Sequence, residues 1–191
     1  NQGREYAWLS ADEDAAARFA DPALAPEISS ILLNQQTPRD LRETMFMLII
    51  RGKLSACLDA ALRILADSTE TDTMRNYAGI ALRDCALPEH KRRWAEIVVQ
   101  APTLPMSVAH AAVEELLPEF LTDQAALDLL MKARNTRRNQ PELPQLLSTK
   151  LQSALRPEHC GALLARLIQR LRQEPHFPAE RGQLPISQEF G

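Results

Sequence analysis

Glycine and aromatic residues are scarce in this chain. Six glycines and 5% aromatic side chains in 191 residues exclude a β-sandwich or barrel, which needs Gly-rich turns and strands of aromatic or β-branched residues. Cysteine is also sparse. Cys57, Cys85 and Cys160 are odd in number and lie inside apolar stretches, so they read as buried small hydrophobes in a reducing cytoplasm rather than as a disulfide framework. The longest uninterrupted apolar run is Met45 to Ile50, far short of the ~20 residues that cross a bilayer. No basic start followed by an apolar segment marks a signal peptide. The reading is a soluble protein with no membrane association. A strong basic excess is absent too: net charge is −3, unlike a dedicated nucleic-acid module.

Hydrophobic residues at 45% and charged residues at 25% are the balance of a globular chain. Thirteen prolines point to helices punctuated by turns. Charge is unevenly spread: residues 1–73 carry 7 basic and 12 acidic side chains, whereas residues 134–191 carry 9 basic and 5 acidic. Such a gradient can orient a partner or a neighbouring domain.

Internal periodicity is the most informative signal. Leu54, Leu87, Leu121 and Leu155 recur at nearly equal steps along the chain. Each precedes a helix-start signal: Ser55, Pro88-Glu89, Thr122-Asp123 and Pro157-Glu158. Asp21-Pro22 is a fifth such signal one step back. Hydroxyl and carboxylate side chains accept hydrogen bonds from the free N–H groups of a first turn, where proline also fits. Each mark therefore reads as a joint between two helices. The first helices are expected at Pro38–Arg51, Asp72–Asp84, Pro105–Glu119 and Leu143–Ala154. The second are expected at Ser55–Ala66, Pro88–Gln100, Thr122–Ala133 and Pro157–Arg172. An N-terminal pair, Glu5–Phe19 and Leu24–Asn34, completes five units. Apolar residues recur at three and four positions (Leu58, Leu62, Leu65; Trp94, Ile97, Val98; Leu163, Leu164, Leu167, Ile168, Leu171), which places them on one face.

Twelve of the thirteen prolines fall in joints, first turns or the tail, where a missing N–H costs little. Pro118 is the exception and should end or kink its helix near the solvent edge. Thr37, with Asp40 three residues on, is expected to cap the helix that follows. Met45–Ile50 alone also fits a buried strand, but Leu41-Arg42-Glu43 and Arg51 flank it in helical style and no partner strand exists.

A helix pair cannot bury its apolar face alone, whereas stacked neighbours build a continuous core. The expected fold is all-α: an α-solenoid of about five stacked antiparallel helix pairs, HEAT-like, with a period of about 33–34 residues. It occupies residues 1–172, and residues 173–191 form a Pro-rich extended linker or tail. Truncating Leu62, Ile80 or Leu116 to Ala should then cost ~2–5 kcal/mol.

Tetratricopeptide and ankyrin signatures are missing. The stretches FADPALAPEI (19–28), MFMLIIRGKLSACLDAAL (45–62) and YAGIALRDCA (77–86) resemble the helical-repeat region of large bacterial NACHT-type ATPases, across roughly residues 8–130. The resemblance implies a sensor or scaffold segment that follows an ATPase module in a multidomain signalling protein, many of which serve antiphage (antiviral) defence. The phosphate-binding loop G-x-x-x-x-G-K-[ST] is absent, so no nucleotide site or cofactor is carried over.

Candidate sites are few. His90 and His159 hold matching places in two second helices, two units apart, too far for a shared metal. Cys85 and His90 straddle a joint without a third ligand, and His159-Cys160 diverge on a helix. No metal is assigned. Asp12-Glu13-Asp14 reads as a helix start, not as a catalytic carboxylate pair. Two basic clusters remain. Lys91, Arg92 and Arg93 open one helix, and Lys132, Arg134, Arg137 and Arg138 occupy a loop between units, where guanidiniums can grip phosphates or an acidic partner. No aromatic residue interleaves the second cluster for base stacking. The favoured function is a non-catalytic protein-interaction scaffold that docks a protein partner or neighbouring domains of its own chain. The alternative is a nucleic-acid-binding module using loop 132–138 and the C-terminal helices. An enzyme ranks last, because no nucleophile and base stand at recognisable spacing.

Overall fold

A computed structural model of the chain describes residues 20–134, together with Gly161 and Ala165. Seven α-helices follow one another: α1 (Ala25–Leu33), α2 (Arg39–Gly52), α3 (Leu58–Ala66), α4 (Asp72–Cys85), α5 (Pro88–Gln100), α6 (Met106–Leu116) and α7 (Asp123–Lys132). Short 3-10 turns at Pro22–Leu24 and Ser55–Cys57 lead into α1 and α3. The only strand pairing among the described residues is a parallel two-residue bridge, β1 (Leu104–Pro105) to β2 (Ala133–Arg134). The protein is all-α. Met45–Ile50 lies inside α2, not in a strand.

Local chemistry sets most helix starts. Asp21 accepts from the Ala23 N–H at 2.8 Å, and Thr122 accepts from Ala125 at 3.2 Å, as expected of caps. Thr71 does the same for Met74 at 3.3 Å, and Pro88 is the first residue of α5. Thr37 is a correction: the N-cap of α2 is Pro38, with no side-chain cap. The Thr37 N–H closes a turn back to the Asn34 carbonyl instead. α2 ends with Lys53 in the left-handed region, φ 52°. α6 stops at Leu116, three residues short of the expected end, because Pro118 has no N–H to continue the helix and disfavours a helical conformation at Leu117 before it.

Helices meet in a regular order. Every one packs against the next but one: α1 with α3, α2 with α4, α3 with α5, α4 with α6, and α5 with α7. Close pairs α1–α2, α3–α4, α5–α6 and α6–α7 join the two series. Core positions keep the period. Leu32, Leu65 and Val98 are all fully buried, as are Ile49, Leu82 and Leu116. Trp94, Phe46, Leu58 and Leu62 fill the space between the helices. One expectation is corrected, at Ile80, and one of the recurring leucines differs from its fellows. Leu87 is 46% exposed although Leu54 and Leu121 are 4%, since α4 passes to α5 through only Ala86 and Leu87, which leaves Leu87 at the N-cap. Ile80 is half-buried, on the flank of α4 that carries Thr73 and Tyr77.

The most informative packing is polar. Arg42 and Arg75, one repeat apart, are 6% and 3% exposed, the two buried charged residues in the described region. Arg42 Nε donates to the Leu32 carbonyl at 2.9 Å, while its two Nη atoms hold both oxygens of Glu70 at 3.2 and 2.5 Å. Arg75 Nε donates to the Leu65 carbonyl at 3.4 Å and its Nη2 to the Thr103 carbonyl at 3.2 Å. The partners move by the same step as the arginines, from Leu32 to Leu65 and from Glu70 to Thr103. Both guanidiniums satisfy a carbonyl in the last turn of a preceding helix, where cations are favoured and no intrahelical donor is available. Their far ends reach the loop that opens the following unit.

The chain divides into two compact units, residues 1–155 and 156–191. In the second, Gly161 and Ala165 are helical and fall within the helix expected at Pro157–Arg172, whose remaining residues lie outside the described ones. The helices expected at Glu5–Phe19 and Leu143–Ala154, the mark at Leu155, and the boundary between 172 and 173 lie outside the described residues.

Candidate interaction surface

The two basic clusters fall on different elements, and most of their described charges have partners within the chain. Lys91 opens α5 and pairs with Glu115 of α6 at 3.1 Å. Arg93, two residues on, faces the other side and pairs with Asp59 of α3. Arg92 lies between them and is exposed. In the second cluster, Lys132 ends α7 and donates to the Val99 carbonyl at 2.6 Å, in the last turn of α5. Burial pushes its ammonium below the ordinary lysine value. Lys132 thus does for α5 what Arg42 and Arg75 do for α1 and α3, and the third unit has Val108 where those arginines stand. Arg134 belongs to the parallel bridge, paired through its backbone with Pro105. Arg137 and Arg138 lie outside the described residues, as do His159, Cys160 and the run Asp12-Glu13-Asp14. The structure brings Lys132 and Arg134 beside the start of α6, with Thr103 Oγ1 on the Lys132 carbonyl at 3.4 Å. It does not bring Lys91 and Arg93 onto one face.

Arg92 lines a shallow groove of about 550 Å³ along α5, with Glu96 and Val99 at successive turns and Glu119 and Phe120 from the α6–α7 connection. Val99 is 49% exposed. Sequence reasoning missed this groove. The signal was a valine at the polar edge of a strongly amphipathic helix, and only the fold carries Phe120 to it.

His90 and Trp94 stand one turn apart on α5. His90 Nδ1 lies 3.8 Å from Glu89, and His110 Nε2 on α6 lies 3.6 Å from Glu114. The Trp94 indole N–H is buried without a hydrogen-bond partner. Among the described residues, no group of three or more His, Cys, Asp or Glu side chains could hold a metal ion. Cys57 and Cys85 are both free thiols. Their Sγ atoms lie 3.8 Å from the Ala25 carbonyl and 3.6 Å from the Ile49 carbonyl, and burial pushes both thiols up. A protonated thiol is a poor nucleophile. Among the described residues no helix is long and apolar enough to cross a membrane.

A scan of protein-family models, of curated proteins and of solved structures finds no match to this chain.

Proposed function

We propose that this chain is a HEAT-like α-solenoid that serves as a non-catalytic protein-interaction or sensor scaffold in the cytoplasm, the helical-repeat segment of a larger NACHT-type signalling or defence ATPase. The observation that carries the reading is the recurrence of the buried arginines at the repeat spacing. Arg42 and Arg75 bind equivalent carbonyls and reach equivalent loops, which is how one folding unit comes to be used twice. Among the described residues the extensive helix contacts join elements that are adjacent or next but one in the chain, which supports the same reading. Assignment to the ATPase family rests on the sequence resemblance alone.

A scaffold acts through its surface, so the test is to map contacts on it. A photoreactive residue is placed at Val99 or Arg92 on α5, or at the exposed Arg63 on α3, in the parent protein at native abundance. Adducts confined to one face, with a single protein or with another domain of the same chain, are expected. No adduct from any position would count against the reading. Nucleic-acid binding is the competing outcome. Binding to a short duplex or single strand that falls steeply with salt and is lost when Arg134, Arg137 and Arg138 become Glu would replace the scaffold assignment.

A further inference from the structure

Arg92, Glu96 and Val99 follow along α5 at steps of four and three residues, so they share one side of the helix. At a rise of ~1.5 Å per residue they span about 10 Å. The α6–α7 connection supplies the opposite wall of the groove through Glu119 and Phe120. Its apolar end is open to water: Val99 is 49% exposed, and Phe120 is half-buried. A single exposed valine is ordinary on a protein surface. This one lies in a concave site of about 550 Å³ with an aromatic side chain in the facing wall.

The walls carry an excess of negative charge. Glu96 and Glu119 are both exposed, and the cations around them are engaged elsewhere. Lys91 pairs with Glu115, Arg93 with Asp59, and Lys132 donates to the Val99 carbonyl. Among the described residues lining the groove, Arg92 alone is positive. Val99 lies in the last turn of α5, where the free carbonyl ends of a helix favour a cation. Two carboxylates beside one guanidinium repel a phosphate backbone and attract a basic side chain. Arg92 is thus poorly placed for the phosphate contact that its sequence neighbours Lys91 and Arg93 suggest.

We propose that this groove holds an extended segment of a protein partner in which a Lys or Arg stands two positions from a bulky apolar residue. The proposal rests on the scaffold reading and gives its partner a chemistry. Residues two apart in an extended chain point to one side and lie about 6–7 Å apart. Glu96 and Val99 are separated by a rise of about 4.5 Å along α5. A cation drawn to Glu96 and Glu119 therefore leaves the apolar side chain over Val99 and Phe120. Arg92, on the other side of Glu96, is left to a carbonyl of the same segment.

Selection of a random seven-residue peptide library, displayed on phage, against the full chain tests this pairing. Retained peptides should carry Lys or Arg two positions from Leu, Ile, Met or Phe. One retained sequence, made as a fluorescent peptide, should bind roughly tenfold more weakly to Val99→Asp. Glu96→Lys with Glu119→Lys should reverse the preference, rejecting that peptide and binding its copy with Glu in place of the basic residue. All three positions are exposed, where substitutions disturb folding little, and loss of folding does not produce a reversal. An empty selection, retained peptides without a basic excess, or binding that neither variant alters would overturn the proposal. So would displacement of the fluorescent peptide by a short DNA duplex. The scaffold reading fails separately. Photoadducts at Val99 with a protein that lacks such a segment leave the scaffold standing and remove this partner, whereas no adduct from any position removes both.

Discussion

Arg42 is held through all three of its guanidinium nitrogens. It occupies a site with 7% side-chain exposure, and Glu70, its partner, has 5%. Removing one member of such a pair strands the other in a poorly solvated place, at a cost of ~3–5 kcal/mol. Arg42→Met should lose that much in urea unfolding, and Arg42→Met with Glu70→Met should recover much of it. Arg75→Met removes the donors to the Leu65 and Thr103 carbonyls and should cost about 1–3 kcal/mol. Equal losses from both single variants would argue against two differently held ends. Asp67 gives a pH signal. Hydrogen bonds from the Thr69 hydroxyl and N–H, at 2.7 and 2.8 Å, hold its carboxyl below the usual aspartate range. A folded value below the unfolded one contributes stability that is complete above about pH 3.9 and lost as pH falls through the depressed value. Carboxyl NMR should place Asp67 below the usual aspartate range, and Thr69→Val, which removes the hydroxyl and keeps the N–H, should raise it part of the way back. The thiols are the third residue-scale case. Both are raised by burial, so alkylation near pH 7 should be slow. Cys85, half-buried, should react ahead of the fully buried Cys57. The reverse order by peptide mass mapping would contradict the packing around Cys57.

At the scale of elements, spacing and end chemistry carried most of the information. α5 begins and ends at the residues that the pattern indicates, α4 runs one residue past its expected end, and α2 is shifted by one residue at both ends. Errors occur where a neighbour decides. Thr37 has capping chemistry, yet the chain turns at Asn34 and leaves the start of α2 to Pro38. Ile80 has the composition of a core residue, but lies on a flank of α4 that its neighbours cover only in part. Leu116→Ala should therefore cost ~2–5 kcal/mol, whereas Ile80→Ala should cost half that or less. Similar losses for both would mean that Ile80 is more enclosed than its accessibility indicates.

At the scale of the whole molecule, stability should spread only as far as contacts do. α3 touches α1, α4 and α5 but makes no comparable contact with α7. In a stack of nearest neighbours a weakened helix loosens those beside it and leaves distant ones protected. Leu62→Ala, which opens a cavity at a fully buried position, should raise amide exchange in α1, α4 and α5 and leave α7 near its original rate. A uniform rise across all seven helices would indicate one cooperative block instead.

The sequence by itself determined the all-α class, the repeat spacing and the helix ends that carry proline, threonine or aspartate, because these depend on contacts within a turn or two of chain. The tertiary structure alone decided what joins the units. Arg42 and Arg75 look like any solvated arginine of an amphipathic helix until the fold brings Leu32, Glu70, Leu65 and Thr103 to them. Lys132 reads as part of a basic loop until the Val99 carbonyl takes its ammonium. A side chain's own neighbours in sequence set its conformation, but partners remote along the chain, which only packing brings within hydrogen-bonding reach, set what its charge is used for.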